Sequence, residues 1–194
     1  MKTINGNFES TYIINKSKFI SFAYPVGSEE DCKVFLEEIS IQYPDATHIC
    51  FAYLLTSPRI EKCSDNGEPT GTAGKPILEV IKKKKLENVL CIVVRYFGGK
   101  KLGAGGLVRA YTTSANDVLE MAEVIEKKNI FVCRLIENVQ NGEKTKNKLI
   151  GTGAIIRGIV YKENVEIIFE IDDLEKVQEF EFTLIGEENG NNQN

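Results

Sequence analysis

Four basic side chains and five glycines crowd into one stretch of this chain, Arg95-Tyr-Phe-Gly-Gly-Lys-Lys-Leu-Gly-Ala-Gly-Gly-Leu-Val-Arg-Ala-Tyr111. The glycines are Gly98, Gly99, Gly103, Gly105 and Gly106; the cations are Arg95, Lys100, Lys101 and Arg109. No acidic residue falls between Asn88 and Asn116. Glycines this dense permit positive φ and close approach of a ligand or another backbone. A glycine loop that opens a helix and carries cations favours an anion, because the first N–H groups of a helix have no intrahelical acceptor. Phosphate suits such a loop, and Lys and Arg contacts to phosphate hold RNA or DNA without specifying sequence. Tyr96 and Phe97 add aromatic faces on which unpaired bases stack. The structural alternative is that the glycines solve a packing problem where a strand meets a helix.

A second block, Cys63-Ser-Asp-Asn-Gly-Glu-Pro-Thr-Gly-Thr-Ala-Gly-Lys-Pro-Ile-Leu78, adds Thr70, Thr72 and Lys75 to the same expected surface. It is not a Walker loop: Pro69 stands at the first glycine position, and Pro76 stands where a magnesium-binding hydroxyl is required. A dinucleotide loop fails as well, since counting from Gly103 the third glycine position is Val108. Histidine chemistry would rest on His48 alone, with Asp65 or Glu68 as acid–base partners and Cys63 as a nucleophile, yet no spacing singles these out. Asp65-Asn-Gly-Glu68 offers two carboxylates, a thin cation site, and reads better as a turn with Asn-Gly at positive φ. No metal and no cofactor are expected.

These residues need elements to position them. Val89-Leu-Cys-Ile-Val-Val94 reads as a buried strand, and the stretch from Leu107 to about Lys127 as a helix with Leu107, Ala110, Tyr111, Ser114, Val118 and Ala122 on one side. Upstream, Phe8–Ile14 and Lys18–Pro25 read as strands joined by a turn. A helix starts at Ser28 and stops at Pro44, and Thr47–Leu55 reads as a strand. Ser57 to Gly74 reads as a long loop, followed by a helix over Lys75–Lys82 with Pro76 in its first turn. Beyond Lys128 the order is strand (130–136), short polar helix (141–149), two strands (154–161 and 165–171), then an acidic helix from Asp172 to Leu184. That β-α-β-β-α order fits a ferredoxin-like module, but its closing strand is not legible.

Composition is that of a soluble globular protein, with 42% apolar and 27% charged residues. No apolar run is long enough to span a bilayer, and the N-terminal residues lack the apolar core of a signal peptide, so the cytoplasm is the expected location and no membrane partner is expected. Five cysteines, odd in number and dispersed, do not make a disulfide or zinc framework. Charge is uneven: residues 1–116 carry 15 Lys/Arg against 12 Asp/Glu, and residues 117–194 carry nine against 16. The asymmetry suggests two domains, 1–127 and 128–186, with a disordered tail over 187–194. The acidic second domain would suit a basic protein partner better than RNA.

On the blocks at 63–78 and 95–111, together with the strand from His48 to Tyr53, the chain resembles the IMPACT family. The resemblance implies an α+β protein of two domains. The first would be an α/β sandwich with a left-handed crossover, like domain 2 of ribosomal protein S5. The second would be ferredoxin-like, like the last domain of elongation factor G. Both relatives touch ribosomal RNA. Eukaryotic members regulate translation by countering activation of the kinase that phosphorylates initiation factor two; the layout expected here is the bacterial two-domain one without their extra N-terminal domain, so that pathway is not carried over. The leading expectation is a non-enzymatic protein that binds RNA or the ribosome and modulates translation. The rivals are a phosphate- or nucleotide-handling enzyme or hydrolase using the same glycine-rich cleft, and a protein-interaction module.

Overall fold

The computed structural model describes residues 1–126 and 128–190. The chain divides into two compact units, Lys2–Ile125 and a second from Glu126 onward. The first unit contains β1 (Lys2–Ile4), β2 (Phe8–Ile14), β3 (Ser17–Pro25), α1 (Glu29–Gln42), β4 (His48–Thr56), β5 (Arg59–Ser64), α2 (Gly74–Lys83), β6 (Val89–Tyr96) and α3 (Gly103–Met121). β7 (Val124–Glu126) pairs with β1 at its margin. The second unit contains β8 (Lys128–Asn138), α4 (Gly142–Gly151), β9 (Ile155–Tyr161), β10 (Asn164–Ile171), a 3-10 turn at Leu174–Val177 and β11 (Phe182–Gly190). No helix among the described residues is long and apolar enough to cross a membrane.

The first unit is a five-stranded antiparallel sheet in the order β2-β3-β6-β4-β5. β6 lies at its centre and is buried on both faces, which is why its sequence is an unbroken apolar run rather than an alternating one. Val89, Cys91 and Val93 face α2 and α3, in a core with Phe19, Ile77, Ile81, Tyr111 and Val118. Leu90, Ile92 and Val94 face the opposite way, in a core with Cys32 and Ile39 of α1. Each fully buried aliphatic side chain of this kind contributes about 1.5–3 kcal/mol, so the central strand anchors both layers. Asn15 and Lys16 both take positive φ, the two-residue turn whose twist matches a tight hairpin, and they join β2 to β3. Ser28 caps α1 in a reciprocal capping box with Asp31. The α3 positions expected on one side, 107, 110, 111, 114 and 118, are buried, and so is 122, just past the end of the helix.

Several expectations need correcting. The long loop expected over 57–74 contains β5, an edge strand paired with β4. α3 ends at Met121 rather than near Lys127, because the chain leaves the helix to pair with β1, where the Asn5 N–H donates to the Glu123 carbonyl at 2.9 Å. The expected acidic helix over 172–184 is only the short 3-10 turn, and the closing strand that the sequence hides is present as β11. β11 pairs with β8, giving a four-stranded antiparallel sheet in the order β11-β8-β10-β9 over a core of Leu135, Leu149, Ile167 and Phe169. Residues 187–190 therefore belong to a strand and not to a tail, while 191–194 lie outside the described residues.

Candidate functional site

Strand alternation carries the run Val89, Cys91, Val93 on to Arg95, which therefore faces α2 and α3 and not solvent. Register sets Phe19 of β3 and His48 of β4 opposite Arg95 on its two sides. From the loop before α2, Glu68 meets this row: Arg95 Nη1 donates to Glu68 Oε1 at 2.5 Å, and the Tyr111 hydroxyl of α3 donates to the same oxygen at 2.8 Å. The side chains of Glu68 and Arg95 are 3% and 6% exposed, so this is a buried, mutually neutralised pair. The guanidinium also lies over the rings of Phe19 and Phe97, at 5.4 and 5.5 Å.

The loop that delivers Glu68 is built by Asp65. Its carboxylate accepts the backbone N–H groups of Gly71, Ala73 and Gly74 at 2.8, 2.9 and 2.8 Å, which also caps α2, whose own N-cap, Ala73, has no side-chain acceptor. Burial raises the Asp65 pKa, but the N–H groups of Gly71, Gly74 and Ala73 outweigh it and hold the carboxyl below its usual range. A pKa lowered on folding stabilises the fold above the unfolded value, and that stabilisation is lost as pH falls through the folded value. Asp65→Asn is therefore expected to flatten the acid limb of stability against pH. Asp65→Ala, which strands three donors, is expected to cost about 2–3 kcal/mol at neutral pH; urea unfolding across pH reads both, and an unchanged acid limb in Asp65→Asn would refute the assignment.

His48 Nδ1 lies 2.9 Å from the Asn66 carbonyl oxygen, an acceptor, so Nδ1 carries the proton. Nε2 then points toward Glu68 Oε2, 3.9 Å away. Asn66 and Gly67 take positive φ, the turn that an Asn-Gly pair favours. The hydrolase triad is not assembled. Asp65 is committed to backbone, and Cys63 sits opposite Ala52 on β5, four strand positions from His48 and so roughly 13 Å away. Burial also raises the Cys63 thiol. Cys50, at 3.4 Å from the Tyr111 hydroxyl, is pushed by burial up to about 12 and stays protonated; burial likewise pushes the Tyr111 phenol far above its usual range.

His48, Glu68, Arg95, Phe97, Lys101 and the α3 residues Gly103 and Ala104 wall a cavity of about 420 Å³. The helix that opens onto it is bare. Leu102 gives no capping side chain, the first turn has no acid, and there is empty space where a Cβ on Gly103 or Gly105 would stand. The glycines divide by role. Gly98 has no room for a side chain, since a Cβ would overlap the Lys16 carbonyl and the Ser17 nitrogen; Gly99 and Gly103 take positive φ.

Of the expected phosphate contacts, Lys100, Lys101, Arg109, Thr70 and Lys75 are exposed, and Lys101 is on the cavity. Arg95 is corrected from an outward contact to a buried, acid-paired one. Thr72 is corrected as well: it is buried and its hydroxyl donates to the Pro69 carbonyl at 2.6 Å. Tyr96 packs against the α1-side core, whereas Phe97 is 46% exposed. Lys75 lines a separate groove with Val80, Val108 and Thr112. Sequence reasoning misses the Tyr111 hydroxyl, although a tyrosine at a core position of a helix needs a polar partner and so signals one.

Fold and site together define an α+β protein whose first unit sets a buried Arg–Glu pair beneath an uncapped, glycine-opened helix. The family model described as the Impact N-terminal domain matches residues 15–119, and the chain belongs to the IMPACT family. The IMPACT family member YvyE of Bacillus subtilis (strain 168) is 38% identical over 174 residues, 89% of this chain and 80% of the relative. YigZ of Escherichia coli (strain K12) is 40% identical over 109 residues, 55% of this chain and 53% of the relative. A crystal structure described as that of a hypothetical protein matches at a TM-score of 0.66 and 27% identity, over 96% of this chain and 98% of that one.

Proposed function

We propose that this chain binds RNA, free or on the ribosome, and modulates translation in the cytoplasm without being an enzyme itself. One observation carries the reading: the bare, uncapped start of α3 directly follows exposed Lys100 and Lys101, with Arg109 exposed further along the helix, and among the described residues no acidic group pairs with them. Phosphate oxygens are the partners such donors and cations lack. The family resemblance supplies the link to translation. In the same reading the first unit is the sandwich of ribosomal protein S5 domain 2 and the second is ferredoxin-like; the β11-β8-β10-β9 order supports the latter.

Titration of single-stranded RNA and of ribosomes at rising salt tests it. The double substitution Lys100→Glu/Lys101→Glu is expected to weaken binding roughly tenfold or more and to flatten the log–log salt slope by about 1.4, the contribution of two phosphate contacts to a single strand. Salt-insensitive binding, or a variant that binds like the parent, would overturn the reading.

A further inference from the structure

The exposed lysines explain contact with a phosphate backbone but leave the recess beneath them unexplained. Arg95 is more than nine-tenths buried, forms one wall of the cavity, and its Nε–H has no acceptor. A guanidinium has five N–H donors, and a buried donor left without an acceptor is costly to keep. Here Nη1 is held by Glu68, so the ion is fixed in place with a donor unspent. Glu68, the acid on the same wall, does not repel an incoming anion as a free carboxylate would, because Arg95 and Tyr111 already donate to it.

We propose that this cavity is a pocket for a phosphate monoester on a nucleoside, either the terminal nucleotide of an RNA or a free mononucleotide. The inference rests on the reading above that the start of α3 takes phosphate. Charge selects the monoester. Arg95 is balanced by Glu68, which leaves Lys101 and the positive end of α3 facing the cavity. A monoester near neutral pH carries between one and two negative charges, against one for an internal diester, and presents three terminal oxygens to the donors. Size agrees: about 420 Å³ lies in the range of pockets for single small ligands and not of grooves for a polymer. The 46% exposed Phe97 adds an aromatic face at the same cavity for the base. The empty space at Gly103, on the cavity wall, lets the phosphate approach the N–H groups of the first turn.

Isothermal titration of the full chain with adenosine 5′-monophosphate, adenosine and inorganic phosphate tests the pocket. Paired RNA oligomers of one sequence, ending in a phosphate or a hydroxyl, separate the two sources. The monophosphate is expected to bind and adenosine to fail. Ala104→Glu, on the cavity wall, and Lys101→Glu are each expected to weaken monophosphate binding roughly tenfold, the scale of one charge-assisted contact. Ala104→Glu should not lower thermal stability, since the position is exposed and an acid in the first turn suits the helix dipole, so its loss of binding would not be a loss of fold. A preference for phosphate-ended RNA identifies the terminal nucleotide as the ligand, and monophosphate binding without that preference identifies the free nucleotide. If hydroxyl-ended and phosphate-ended RNA bind alike and the monophosphate does not bind, the pocket proposal falls while the RNA-surface reading stands. Monophosphate binding that ignores both substitutions also overturns it.

Discussion

Glu68→Ala is expected to destabilise the first unit by about 3–5 kcal/mol, the usual cost of leaving a buried charge without its partner. Arg95 is only 5% exposed, on the central strand with the rings of Phe19 and Phe97 against its guanidinium, so little water reaches it. The Tyr111 hydroxyl would lose its acceptor in the same step. The pair itself need not be a net stabiliser, since removing both charges together is often neutral. Glu68→Met combined with Arg95→Met is therefore expected to recover most of the loss, to within roughly 2 kcal/mol of the parent, while abolishing monophosphate binding. Urea unfolding followed by hydrogen exchange at the β6 amides reads the first unit alone, which matters because the chain has two units and need not unfold in one step. A single variant within about 1 kcal/mol of the parent would show that Arg95 is not held as a buried charge. A double variant no more stable than the single would show that the polar cluster organises the fold as well as the site.

This cluster shows how far the sequence can be read. Positions 89, 91 and 93 share one face of an apolar strand, and Arg95 continues their parity. A charge after an apolar run nevertheless reads as the end of a strand, and only the pairing with His48 and Phe19 shows that the alternation continues. Glu68 lies 27 residues from Arg95, and its position depends on a loop folded around Asp65. Local pattern carries no information about such a closure. The elements divide in the same way. β6 and α3 are legible because each buries a face of its own composition. β5, Arg59-Ile-Glu-Lys-Cys-Ser64, is a mostly exposed edge strand that exists because β4 offers it a ladder. β11 is disguised by Gly, Glu and Asn, and its pairing with β8 overrides that composition. Val124 and Ile125 extend the helical spacing of α3, yet pairing with β1 takes the chain into β7.

Gly98→Ala is expected to cost about 3 kcal/mol, at the upper end of what overpacking a tight site does. Its φ needs no glycine; the constraint is space. The loop after β6 runs against the β2–β3 hairpin, where the Gly98 N–H donates to the Ser17 hydroxyl at 3.2 Å. A methyl group there meets the backbone of Lys16 and Ser17, which cannot give way as a flexible side-chain tip would. Lys16 is itself fixed at positive φ in the hairpin turn, so the strain must fall on the loop. The loop carries Phe97, Lys100 and Lys101 and sets where α3 begins. Displacing it should therefore lower RNA and monophosphate binding along with stability. Ala104→Glu, at an exposed position on the cavity wall in the first turn of α3, separates the two effects. It should weaken monophosphate binding while urea unfolding shows no loss of stability, whereas Gly98→Ala should lower both together. A Gly98→Ala chain as stable as the parent would show that the loop can move away from the hairpin without cost.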